Sequence, residues 1–113
     1  MNDAVIDPAV FGEMQDLMDD ALPAFIETYL DNSPKLLEQI EQAVAEEDAE
    51  SIFQSAHQLK GGSGSIGAMT VFQLAKEIEV IAKEGGLGEP LGALFDELKS
   101  AYAAAAAELK SHL

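Results

Sequence analysis

The sequence predicts an all-α protein, an antiparallel up-and-down four-helix bundle with a short N-terminal helix as a lid. Three observations lead there. Apolar residues recur at spacings of three and four along most of the chain, and no segment shows the alternation of a strand. The breaks between periodic segments are short, so consecutive helices must run antiparallel. The last segment carries an unbroken alanine run, Ala103 to Ala107, which is strongly helix-forming.

Asp7-Pro8 reads as a cap followed by a proline at the first helical position. Phe11, Met14, Leu17 and Met18 then keep a helical period and define the short first helix. From about Asp20 a long stripe follows: Leu22, Phe25, Ile26, Tyr29, Leu36, Leu37, Ile40 and Val44. Pro34 interrupts it. An interior proline costs about 3 kcal/mol, and Ser33 could instead cap a new helix. The apolar phase persists from Tyr29 to Leu36, which favours a single kinked helix.

Asp48 is a plausible cap for a third helix with Ile52, Ala56, Leu59 and Ile66 inward. A fourth runs from about Ala68 to Glu84 with Val71, Leu74, Ile78 and Ile81 inward, and stops at Gly85-Gly86. The stretch "GLGEP", residues 86–90, is the clearest loop. Leu91, Leu94, Leu98, Tyr102, Ala105 and Leu109 keep phase in the fifth. No linker or internal repeat divides the chain, so residues 1–113 are read as one domain, expected to be monomeric.

Composition narrows the function. The 113 residues include 21 acidic side chains against six lysines and no arginine, a formal net charge of −15. Nucleic acid and an anionic membrane surface would both meet a repulsive field. The absence of cysteine removes disulfides, thiolate catalysis and Cys-based zinc sites. No apolar run approaches the roughly 20 residues needed to span a bilayer, and the first residues lack the pattern of a signal peptide. A cytoplasmic protein is expected.

The stretch from His57 to Ala68, "HQLKGGSGSIGA", holds two conflicting signals. From Gly62 it spells G-x-G-x-x-G, a dinucleotide-binding pattern. That pattern carries meaning only between a strand and a helix, and here a helical segment precedes it. The dinucleotide reading fails.

The histidine is more informative. On a helical wheel, Ile52, Ala56, Leu59, Ser63 and Ile66 share one side; Glu50, Phe53, Gln54, His57, Lys60, Gly61 and Gly64 share the other. His57 therefore points away from the core in mid-helix. At neutral pH an exposed imidazole keeps a ring nitrogen with a free lone pair. Each interior glycine costs roughly 0.5–1 kcal/mol relative to alanine, yet Gly61, Gly62 and Gly64 crowd into one turn. Either the helix ends early and the glycines form a loop, or they serve a purpose within it. In the second case Gly61 and Gly64 leave room beside His57, and Gly62 serves close helix packing. Lys60 is a point charge suited to an anion held on His57. Phe53 and Gln54 belong, with Gly64, to a candidate docking surface, though Phe53 could equally be packed against the neighbouring helix. His112 has no partner in view and reads as a frayed surface residue.

The run Ala56-His57-Gln58-Leu59-Lys60-Gly61-Gly62-Ser63, continuing to Gly67-Ala68, resembles the pattern of histidine-containing phosphotransfer (HPt) domains, A-H-x-[LI]-K-G-[SGA]-[SA] followed after three residues by G-A. The resemblance extends to the acidic N-terminal helix, to "FIETYLDNSPKLLEQI", and to "EIE" in the fourth helix. It implies that His57 accepts and donates a phosphoryl group through Nε2, that Lys60 stabilises that group, and that Gly61 gives access. Glu79 matches an acidic position that orients the histidine in the related domain of chemotaxis kinases. Gly62 stands where many relatives have serine, which is closer to that chemotaxis branch.

The same resemblance implies a phosphocarrier without a kinase or nucleotide site of its own. It would take the phosphoryl group from the receiver domain of a hybrid histidine kinase and pass it to a response regulator. No cofactor or metal site is expected in this chain; Mg²⁺ belongs to the partner receiver. Two rivals come from other classes. A helical adaptor or sequestering protein would leave His57 incidental. A metal-dependent bundle enzyme would need E-x-x-H pairs, but Gln54 and Leu109 stand three residues before His57 and His112.

Overall fold

The computed structural model describes residues 5–86 and 89–113. Five α-helices appear in order: α1 Pro8–Met18, α2 Leu22–Ala45, α3 Ala49–Ile66, α4 Met69–Lys83 and α5 Glu89–Lys110, with one 3₁₀ turn, Asp19–Ala21, between α1 and α2. Helices α2 to α5 pack each against its sequence neighbour, and α5 closes the ring on α2. This is the expected up-and-down bundle. None of the described helices is long and apolar enough to cross a membrane.

Local chemistry sets the boundaries. The Asp7 carboxylate accepts from the Ala9 and Val10 amides at 2.9 and 3.4 Å and starts α1. Asp48 caps α3, accepting from the Ser51 amide at 3.2 Å and the Ser51 hydroxyl at 2.8 Å. Those bonds hold the Asp48 carboxyl below its ordinary range. Gly67 ends α3 with φ +90°, a left-handed conformation suited to glycine. The Asp7 amide donates to the Gly67 carbonyl at 2.7 Å, so the start of α1 is laid over the α3–α4 turn. The Phe11 ring on α1 lies 4.6 Å from the His112 ring, which also approaches Glu108 at 3.6 Å. His112 thus has partners that its place near the chain end did not suggest.

The α2 stripe runs through Pro34 as a single helix, with Ser33 buried rather than capping a new start. The core positions expected on α3 are all buried, as are Val71, Leu74 and Ile78 on α4; Ile81 is half-buried. On α5 one assignment changes. Phe95 takes the buried place and Leu94 is only half-buried, because positions 94 and 95 both continue a three-four spacing from Leu91. The expected loop over 86–90 is narrower than read: Glu89 and Pro90 already belong to α5, and Leu87 and Gly88 lie outside the described residues.

Candidate functional site

Helix α3 continues to Ile66 straight through its glycines, so the loop alternative is excluded. This places His57 at the middle of a rigid 18-residue helix rather than at its end. Its side chain is 60% exposed, while Glu79 beside it on α4 is only 10% exposed. Glu79 reaches across the α3–α4 seam with both carboxylate oxygens: Oε2 lies 2.7 Å from His57 Nδ1 and Oε1 lies 2.7 Å from Lys60 Nζ.

The ionisation of Glu79 decides the tautomer of the histidine. Burial pushes its carboxyl up, but hydrogen bonds from Lys60 and His57 outweigh that and the net shift is downward. An ionised carboxylate can only accept, so Nδ1 must carry the proton and donate it. In the neutral ring the free lone pair is then on Nε2, the nitrogen that Glu79 does not engage. Below the ring, Phe53 stacks on His57 with centroids 6.0 Å apart and planes inclined by 14°.

The expected site residues separate into groups. His57, Lys60 and Glu79 converge, with Phe53 half-buried beneath the imidazole. Gly61 is exposed, and a Cβ there would meet nothing within 4 Å. Gln54 is exposed and donates to Glu50 at 3.3 Å, one turn back.

Gly64 departs from the reading of open room beside His57. A Cβ on it would sit 3.0 Å from Cδ1 of Phe72, so its missing side chain accommodates a ring on α4. A Cβ on Gly62 would stand 3.5 Å from Tyr29 Cδ1, an ordinary contact distance, so close helix packing does not require glycine there. Lys60 is held by Glu79 rather than standing free.

Sequence reasoning missed a buried polar bridge from α2. Tyr29 Oη and Ser63 Oγ are 2.7 Å apart, both buried, and the Tyr29 ring lies 6.0 Å from Tyr102 on α5. Burial pushes the Tyr29 phenol up to about 12, against the lowering effect of its bond to Ser63. A groove of about 460 Å³ opens beside this bridge between α2 and α3, floored by Phe25, Tyr29, Leu36 and Leu59 and rimmed by Lys35 and Gln58. Asn32 and Gln39, which also line it, stand seven residues apart on the same face of α2.

Comparison with known proteins agrees with this geometry. The crystal structure of histidine-containing phosphotransfer protein B (HptB) from Pseudomonas aeruginosa PAO1 matches with a TM-score of 0.92 and 27% sequence identity, covering 98% of this chain and 96% of that one. No curated protein matches. The family model of the Hpt domain matches residues 24–108. Because that match begins in the first turn of α2 and ends in the last turns of α5, taking in the entire helical ring, the chain belongs to the Hpt domain family.

Proposed function

We propose that the chain is a phosphorelay intermediate in which His57 Nε2 accepts a phosphoryl group from an aspartyl phosphate and returns it to another aspartate. One observation carries the reading: His57 Nδ1 lies 2.7 Å from the Glu79 carboxylate, which holds an exposed ring by that nitrogen and leaves Nε2 unengaged by it. Membership of the Hpt family supports the same role.

The transfer balances without a proton leaving the site. Nε2 attacks phosphorus, the N–P bond forms, and the P–O bond to the donor aspartate breaks with its carboxylate leaving. The ring retains Nδ1–H and becomes an imidazolium, whose positive charge is met by the Glu79 carboxylate at 2.7 Å. In the reverse direction an aspartate carboxylate of the second receiver attacks phosphorus, the O–P bond forms, the N–P bond breaks, and the ring leaves as neutral imidazole still carrying Nδ1–H. Lys60 adds a positive charge one turn from His57, and Gly61 keeps the approach open. Phe53 and Gln54 form part of the docking surface.

The partners are the receiver domains of a hybrid histidine kinase and of a response regulator. A Mg²⁺ ion in the receiver neutralises the transferring oxygens. In this proposal the chain contributes nucleophile and orientation and is not an enzyme by itself. Residues 1–113 act as one monomeric unit in the cytoplasm.

The test is phosphoryl transfer from phosphorylated receiver domains, read by intact mass, with wild type beside His57→Gln. Gain of one acid-labile phosphoryl group by the wild type alone is the expected result. No gain from receivers shown to be charged would favour a binding module, and equal gain by the variant would move the acceptor elsewhere.

A further inference from the structure

We propose that Tyr29 is a positioning residue for the chemistry of His57: through Ser63, its hydroxyl holds the glycine-bearing turns of α3, residues 61–66, in the helical form that sets Lys60 and Gly61 beside the imidazole. The proposal rests on the phosphocarrier reading of His57.

The two halves of α3 are secured differently. Residues before His57 bury Ile52 and Ala56 completely, and the Ser55 hydroxyl is tied to Gln39 at 3.1 Å. Beyond Lys60 come three glycines in four positions, residues with the greatest backbone freedom to lose on forming a helix. The Ser65 hydroxyl also bonds back to the Gly61 carbonyl at 3.1 Å, a pairing that tends to bend helices. The local sequence therefore works against helicity where the backbone is nonetheless helical.

External contacts must supply the difference. Phe72 packs on Gly64 from α4, and Gly67 closes the end. From α2, the Tyr29 ring lies 3.5–3.6 Å from where a Gly62 Cβ would stand, and its hydroxyl meets Ser63 at 2.7 Å. That pair is a directed bond at a point where Phe and Ala would have filled similar space without burying two hydroxyls. A fully buried polar pair fixes register in a way that apolar contact does not. Tyr29 is 7% exposed, and Lys60 precedes Ser63 by a single turn. Its influence on the site must pass through α3.

The experiment compares Tyr29→Phe, Ser63→Ala and the double variant with wild type. Amide hydrogen exchange across α3 is measured by NMR, alongside phosphorylation of His57 by phosphoramidate and by a phosphorylated receiver. Expected are exchange at residues 61–66 about five- to tenfold faster in each single variant, the order of one buried hydrogen bond, and exchange at 52–59 within about twofold of wild type. Phosphorylation slows with both donors, and the double variant is no worse than either single one. Unchanged or uniformly raised exchange, or local loosening with normal transfer, overturns the proposal. So does slowing with the receiver alone, which would make Tyr29 a docking residue of the adjoining groove. A wild type that accepts phosphoryl from neither donor brings down the phosphocarrier reading, with the exchange data still reporting whether the tie exists. Should Tyr29→Phe fold poorly, Ser63→Ala carries the comparison.

Discussion

At the scale of single residues, the seam between α3 and α4 concentrates the chemistry in one carboxylate. Glu79 orients His57 and restrains Lys60 at once. Under the proposed mechanism, Glu79→Gln keeps the shape but removes the charge that balances the imidazolium. A charge-assisted hydrogen bond contributes about 1.5–3 kcal/mol, so single-turnover transfer is expected to slow roughly 10- to 100-fold while circular dichroism stays helical. An unaltered rate would remove Glu79 from the mechanism. Its pH dependence has a definite sign. The folded carboxyl lies below its ordinary value of 4.5, so its stabilising contribution is present above that value and is lost as pH falls through the lower folded one. Transfer followed from pH 7 downward should hold near 4.5 as far as Glu79 governs it, then fail in more acid solution. Tyr29 has the opposite sense. With its phenol raised to about 12, the neutral form stabilises the fold below pH 10, and that contribution disappears toward 12. Ultraviolet titration should show Tyr29 ionising late, and an ordinary midpoint near 10 would mean the phenol is not buried.

At the scale of elements, the three glycines of α3 give a graded test. Gly61→Ala meets open space and should stabilise the helix by about 0.5–1 kcal/mol. Gly62→Ala makes ordinary van der Waals contact with Tyr29 and should gain at least as much. Gly64→Ala meets Phe72 at 3.0 Å and should gain nothing or lose stability. Thermal unfolding of the three variants checks that order, and a Gly64 variant as stable as the Gly61 one would contradict the packing described. The same glycines show what the sequence could and could not reveal. The helical wheel put His57, Lys60 and Gly61 on one outward face because direction follows from spacing alone. It did not reveal the Phe72 ring against Gly64, since spacing does not say which neighbouring ring fills a space. The Tyr29–Ser63 bridge was illegible for a related reason: it joins residues 34 positions apart on different helices, and no local period records such a pairing. Phe95 displaced Leu94 because adjacent positions satisfied the same period equally well.

For the whole molecule, charge is the dominant property. A formal charge of −15 on 113 residues opposes compaction through self-repulsion. Salt screens exposed charges beyond about 10 Å at 0.1 M. Raising sodium chloride from about 10 to 200 mM is therefore expected to lift the unfolding temperature by a few degrees, on the order of 1 kcal/mol. A decrease would mean that attractive ion pairs outweigh the net repulsion. The ring of helices also has a kinetic consequence. Between α2 and α5, each helix packs against the next in sequence, and only the closure of α5 on α2 joins distant parts of the ring. Chains dominated by such local contacts fold in microseconds to milliseconds. Ring closure brings Tyr102 on α5 to rest near Tyr29 on α2. Since His57, Lys60 and Glu79 all lie on the adjacent pair α3 and α4, the parts of the site can meet before the bundle shuts. Assembly of the site then needs only helices adjacent in sequence, while completion of the core also needs α5 against α2.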